Sequence, residues 1–199
     1  VKLPSYNSET FTNFFKNNVR NISLGRSTNR KVVIYSTCFV NFNKKNTGVA
    51  ALKVLKKNGG VVEHAYPGCC GMPFLEQADL PKVVKQAKEV SSELLKWIDK
   101  GYEVVTLTAS CGLMLKFEWP LLLPDNGDIK KLSKHVFDID EYIVDIATKE
   151  GLAPGLSEID GGVTVHNACH ARAQNMGIKA RDMLKNIPNV KIDVVERCA

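Results

Sequence analysis

Six cysteines carry most of the chemistry in this 199-residue chain: Cys38, the adjacent pair Cys69 and Cys70, Cys111, Cys169 and Cys198. Thiolates are soft ligands, and a set of them meeting at one place selects an iron–sulfur cluster or zinc. A disulfide framework is the other common use of so many cysteines. Val1-Lys-Leu-Pro-Ser5 lacks the charged-then-apolar pattern of a secretory signal, so metal or redox chemistry in a cytoplasmic setting is the expectation. The sharpest feature is Cys69-Cys70-Gly71. Neighbours on a strand leave it in opposite directions, so adjacent thiols suit a loop that brackets a metal better than a packed core. Gly71 lets the backbone turn close to such a group. A single cysteine after a strand is most often a small buried hydrophobe, and it is the recurrence of the arrangement that argues for ligands.

The elements that must bring these thiols together are legible in the pattern. Apolar, β-branched runs predict strands over residues 31–36, 61–65, 103–108, 163–166 and 190–195. Helices are predicted over residues 9–19, 46–57, 139–149 and 172–186. The clearest helix carries Val83, Ala87, Val90, Leu94 and Trp97 on one face, with Asp79 as its cap, Pro81 in its first turn and Gly101 past its end. The stretch containing Pro120, Pro124 and Asn126-Gly127 reads as loop-rich. Strands that alternate with helices of this length pair in parallel, which makes the chain α/β. Each cysteine then falls just past the carboxyl end of a predicted strand, where parallel sheets open onto a common crevice.

The chain also resembles itself. Residues 46–69 align without gaps onto residues 175–198, matching Asn46 with Asn175, Gly48 with Gly177, Ala51 with Ala180, Leu55 with Leu184, Val61 with Val190 and Cys69 with Cys198. Upstream, after a short gap, Cys38 falls on Cys169. The expected organisation is an N-terminal helix and linker over residues 1–30, then two related parallel-sheet α/β units over residues 31–125 and 126–199.

Composition removes several function classes. The net charge of +6 arises from scattered cations, with only pairs such as Lys44-Lys45, Lys56-Lys57 and Lys130-Lys131, so no nucleic-acid partner is expected. No apolar run is long enough to span a bilayer. No G-x-G-x-x-G loop occurs, so a nicotinamide or flavin is not expected on this chain and the chemistry must be that of a bound metal group.

Cys38, a 30-residue spacer, Cys69-Cys70-Gly71, a longer spacer and Cys111 resemble the cysteine-rich CCG domain of heterodisulfide reductase subunits and related iron–sulfur oxidoreductases. Ser110-Cys-Gly-Leu-Met-Leu-Lys-Phe-Glu-Trp-Pro120 and His166-Asn-Ala-Cys-His-Ala-Arg172 look most like the iron–sulfur subunit type found with anaerobic glycerol-3-phosphate dehydrogenases. The resemblance implies a [4Fe–4S] cluster, non-cubane where the motif is complete, with zinc as the alternative or substitute. It implies Cys38, Cys69, Cys70 and Cys111 as cofactor ligands, with Cys169 and Cys198 as further metal ligands. Two departures stand out: Met114 occupies the place of the motif's last cysteine, and the second copy ends at Cys198-Ala199. Implied partners are a ferredoxin-type domain or subunit and a flavoprotein dehydrogenase subunit, with a quinone or disulfide as acceptor. The implied place is the cytoplasm or, as a peripheral protein, the cytoplasmic face of the inner membrane. The rival reading is a structural zinc or thiol-redox module without electron transfer. His166 and His64, both in predicted strands, read as structural histidines. His170, beside Cys169, is the one histidine that reads as a candidate ligand.

Overall fold

The structure is a computed structural model that describes residues 3–22, 24–25 and 28–195. Its chain runs α1 (Phe11–Asn18), β1 (Lys31–Tyr35), α2 (Thr37–Phe42), α3 (Lys45–Lys57), β2 (Val61–Ala65), α4 (Met72–Glu76), α5 (Leu80–Ile98) and β3 (Glu103–Thr106). It continues through α6 (Ala109–Leu113), a π-helical turn (Met114–Glu118), α7 (Trp119–Leu122), α8 (Gly127–Ser133), β4 (Val136–Asp138) and α9 (Ile139–Glu150). The last part holds β5 (Val163–His166), α10 (Cys169–Arg172), α11 (Lys179–Leu184) and β6 (Ile192–Val195).

Strands β1 to β4 form one parallel sheet in the order β2-β1-β3-β4. Val32, Val33, Ile34 and Tyr35 of β1 are all fully buried, because helices cover both faces of the sheet. On one face Val33, Tyr35 and Val104 pack with Val83, Ala87, Val90 and Leu94 of α5 and with Met114, Trp119 and Leu132. On the other, Val32, Ile34 and Val105 meet Phe11 and Phe15 of α1, Leu52 and Leu55 of α3, and Tyr142 and Ile146 of α9. Caps fix where the helices begin. The Asp79 carboxylate accepts from the Lys82 N–H at 3.3 Å, and Asp138 and Glu141 form a reciprocal capping box at α9.

The structure differs from the sequence-based expectation in the middle and at the end of the chain. The stretch expected to be loop-rich is helical through α6, the π turn, α7 and α8, and it leads into β4. Pro120 sits in the first turn of α7, where its missing N–H costs nothing. Through β4 the first sheet takes its edge strand from beyond residue 125. The helix expected over residues 172–186 is split into α10 and α11, since Asn175 (φ 52°) and Gly177 (φ 74°) adopt left-handed backbone between them. Strands β5 and β6 pair with each other in a separate two-stranded parallel sheet, and of the two only β5 holds a buried residue, Val165.

His64 holds α1 against this frame. Its ring meets Phe11 edge-on and Phe15 at a tilt, at centroid distances of 5.2 and 5.4 Å, and its Nε2 lies 3.0 Å from Ser36 Oγ. Burial, with a smaller push from the Lys16 charge, lowers its pKa to about 4. The unfolded chain therefore binds a proton that the folded chain resists. The neutral ring's contribution is complete above the unfolded value of about 6.5 and is lost as pH falls toward 4, by up to roughly 3 kcal/mol. Unfolding midpoints measured between pH 7 and pH 4 should fall for the native chain, and fall less for His64→Gln. Parallel curves would show that other groups control the acid limb.

Candidate metal centre

The loops that follow β1, β2 and β3 each bring cysteine to the same end of the sheet. Cys38 lies in the first turn of α2, three residues past β1. Cys69 and Cys70 lie in the loop between β2 and α4, and Cys111 lies in α6 beyond β3. All four line one cleft of about 290 Å³, together with Thr37, Phe39, Met72, Pro73, Glu76, Thr108, Ser110 and His170. Cys70 and Cys111 are buried, while Cys38 and Cys69 are half-buried toward the opening.

The four free thiols interact in a chain, Cys38 with Cys69, Cys69 with Cys70, and Cys70 with Cys111. Hydrogen bonds from Cys38, from Cys70 and from the Gly71 N–H hold Cys69 well below the ordinary thiol range. Cys38 is pushed up by its bond to Cys69 and by burial. Cys70 is pushed up by its bonds to Cys111 and Cys69 and by burial. A thiol must give up its proton to ligate a metal, so loading the cleft releases protons.

The backbone around the thiols is shaped for this. Gly71 takes φ 89°, a conformation that suits glycine, and so turns its N–H to 3.4 Å from Cys69 Sγ. The Met72 N–H serves Cys70. Two buried aromatics hold the loop from beneath: the Tyr35 hydroxyl donates to Gly68 O at 2.7 Å, and Trp119 Nε1 donates to Cys70 O at 3.0 Å. Tyr66 completes the shell with a hydroxyl bonded to Cys38, its phenol pushed up by burial and then by that bond. Thr37, a β-branched residue at φ 63°, pairs its Oγ1 with Thr108 Oγ1 at 3.0 Å and so ties the first loop to the third. Backbone held in that region costs of order 1–3 kcal/mol, which the surrounding contacts must offset.

A thiolate-bound group fits this donor set. Soft sulfurs converge in a largely apolar cleft, and backbone N–H groups point at two of them. The contacts run along a row rather than closing on a point, and among the described residues no three His, Cys, Asp or Glu side chains close around a single ion. A row of four thiols suits a group several ångströms wide.

The remaining candidates lie elsewhere. Cys169 opens α10, is exposed, and is not part of the cleft wall. Cys198 lies outside the described residues. His166, expected to be a core histidine, is exposed on the small sheet. Arg181 of α11, part-buried, pairs with Asp182 at 2.9 Å. A larger cavity of about 620 Å³ sits at the opposite end of the sheet, where Arg30 is tied to Asp145 and Glu150 at 2.8 and 2.6 Å. It holds no cysteine. Tyr35, Tyr66, Trp119 and Gln174 were not singled out by sequence. The requirement that a buried indole N–H find an acceptor was the one clue to Trp119.

Residues 32–116, which hold the four clustered cysteines, match the CCG family, described as a cysteine-rich domain. The chain carries a CCG cysteine-rich domain. Proteins similar to it include lactate utilization protein A of a Geobacillus species, 26% identical over 81% of this chain and 67% of that protein. One subunit of the anaerobic glycerol-3-phosphate dehydrogenase of Escherichia coli is 26% identical over 98% of this chain and 48% of its own length. An iron–sulfur protein of Methanocaldococcus jannaschii, itself uncharacterized, is 30% identical over 84% of this chain and 32% of its own. Beside the last two, therefore, the chain carrying this CCG domain spans half or less of the relative's length. No solved structure matches it. Among the described residues no helix is long and apolar enough to cross a membrane.

Proposed function

We propose that the chain is the iron–sulfur electron-transfer part of an oxidoreductase, with Cys38, Cys69, Cys70 and Cys111 as the ligands of its cluster. The observation that carries this reading is the meeting of four thiols, from three separate loops, in one cleft whose Cys69–Cys70 loop is held by the buried Tyr35 and Trp119. A cluster held there supplies one-electron storage. The chain's own contribution is to orient the thiols, to direct the Gly71 and Met72 N–H groups and the Tyr66 hydroxyl at sulfur, and to keep water from Cys70 and Cys111. The similarity to a dehydrogenase subunit and to an iron–sulfur protein supports electron transfer between a separate flavoprotein or ferredoxin-type module and a quinone or disulfide acceptor. Cytoplasmic or peripheral membrane placement belongs to the same reading. So does the origin of residues 46–69 and 175–198 as copies of one unit, although the first copy forms a helix of 13 residues and the second one of 6.

The experiment is anaerobic purification followed by metal analysis and paramagnetic resonance. About four irons per chain and a signal on reduction are expected. Stoichiometric zinc under the same conditions, with no iron taken up, would overturn the proposal in favour of a structural zinc or thiol-redox module.

A further inference from the structure

Given the cluster reading above, on which this step rests, we propose that His170 supplies a nitrogen ligand to the group held by the four cysteines. Among the described residues His170 is the one histidine that lines the cleft, and it belongs to α10 in the second half of the chain. The wall's other strong donor outside the thiols is the Glu76 carboxylate, a harder ligand than iron in a thiolate site favours. Met114, three residues past Cys111, is fully buried in the core and takes no part in the cleft, so α6 delivers a single sulfur.

His170 is held in place by a buried polar junction. Gln174, only 3% exposed, follows the same short helix. Its Nε2 donates to Ala109 O at 3.1 Å, and its Oε1 accepts from Lys116 Nζ at 3.2 Å. Lys116 in turn pairs with Glu141 at 2.6 Å, across to the capping box of α9. Gly112 makes room for this junction: a Cβ there would lie 3.0 Å from both Gln174 Oε1 and Thr106 Oγ1. The segment bearing His170 is thus fastened to the helix bearing Cys111, which is the condition for a ligand drawn from a remote part of the chain. A neutral imidazole adds a donor without the negative charge a further thiolate would bring, so it leaves the reduction potential higher than a cysteine at that position would.

The test uses the whole chain, produced with nitrogen-15 histidine, loaded anaerobically with ferrous iron and sulfide, reduced, and examined by pulsed paramagnetic resonance. The expected result is the strong nitrogen coupling of a directly bound imidazole, lost in His170→Ala while iron content stays near that of the native chain. His170→Cys should keep the iron and lower the reduction potential. Native iron content with the same nitrogen coupling before and after His170→Ala, or none in either, would overturn the ligand assignment and leave the cluster reading standing. A chain that takes up no iron in any form would bring down both.

Discussion

The Cys70→Ser chain is expected to fold and to retain almost no iron, falling from about four atoms per chain to well under one. Cys70 sits in the middle of the row of thiols, buried, with contacts to Cys69 on one side and Cys111 on the other. Serine keeps nearly the same volume, so the core barely changes. It replaces a soft sulfur with a hydroxyl that rarely gives up its proton, and the site loses a donor that no neighbour can replace. The contrast is Cys169→Ser, at an exposed position that is not part of the cleft wall, which should load iron like the native chain. Metal analysis of both variants, with circular dichroism to verify folding, decides the matter. Equal loss from Cys70→Ser and Cys169→Ser would mean that Cys169 is itself a ligand of the metal group.

Trp119→Ala should be the most damaging single change to stability. The indole is fully buried against Val33, Tyr35, Leu94 and Met114, and truncation of such a side chain costs about 3–5 kcal/mol. The loss also leaves Cys70 O without its donor, for which a further 1–3 kcal/mol or so is typical of a buried group. Trp119→Phe separates the two effects. It fills most of the volume but makes no hydrogen bond, so denaturant midpoints should report a smaller loss, on the order of 1–2 kcal/mol. Its iron affinity should fall as well, since metal sites weaken roughly 10–100-fold when an outer partner of a ligand is removed. A Trp119→Ala chain within 1 kcal/mol or so of the native one would show that the indole packs less than its burial suggests.

Strong local periodicity made half of the architecture legible. Strands β1, β2 and β5 and helix α5 fall within a residue or so of the sequence-based boundaries, because β-branched runs and an unbroken four-three repeat leave few alternatives. The thiols were legible for another reason, since a parallel α/β order sends every strand's carboxyl end the same way. What escaped depended on distant partners. Strand β4 has three residues, too few for a period to show, and it is defined by its pairing with β3. The helical turns around Pro120 look like a loop until Trp119 is anchored on Cys70, 49 residues away. The break between α10 and α11 rests on an asparagine in left-handed backbone, which composition alone does not mark. Gln174 looks like any surface glutamine until Ala109 and Lys116 close on it.

The four-stranded sheet contains no hairpin, and that bears on the order in which the molecule is made. Every pairing in β2-β1-β3-β4 joins strands separated by at least one intervening helix. Such long-range closures are slow, and no local event can bring the first loop beside the third. The three cysteine-bearing loops meet only once β1 has closed on both β2 and β3, so the cleft is completed late in folding.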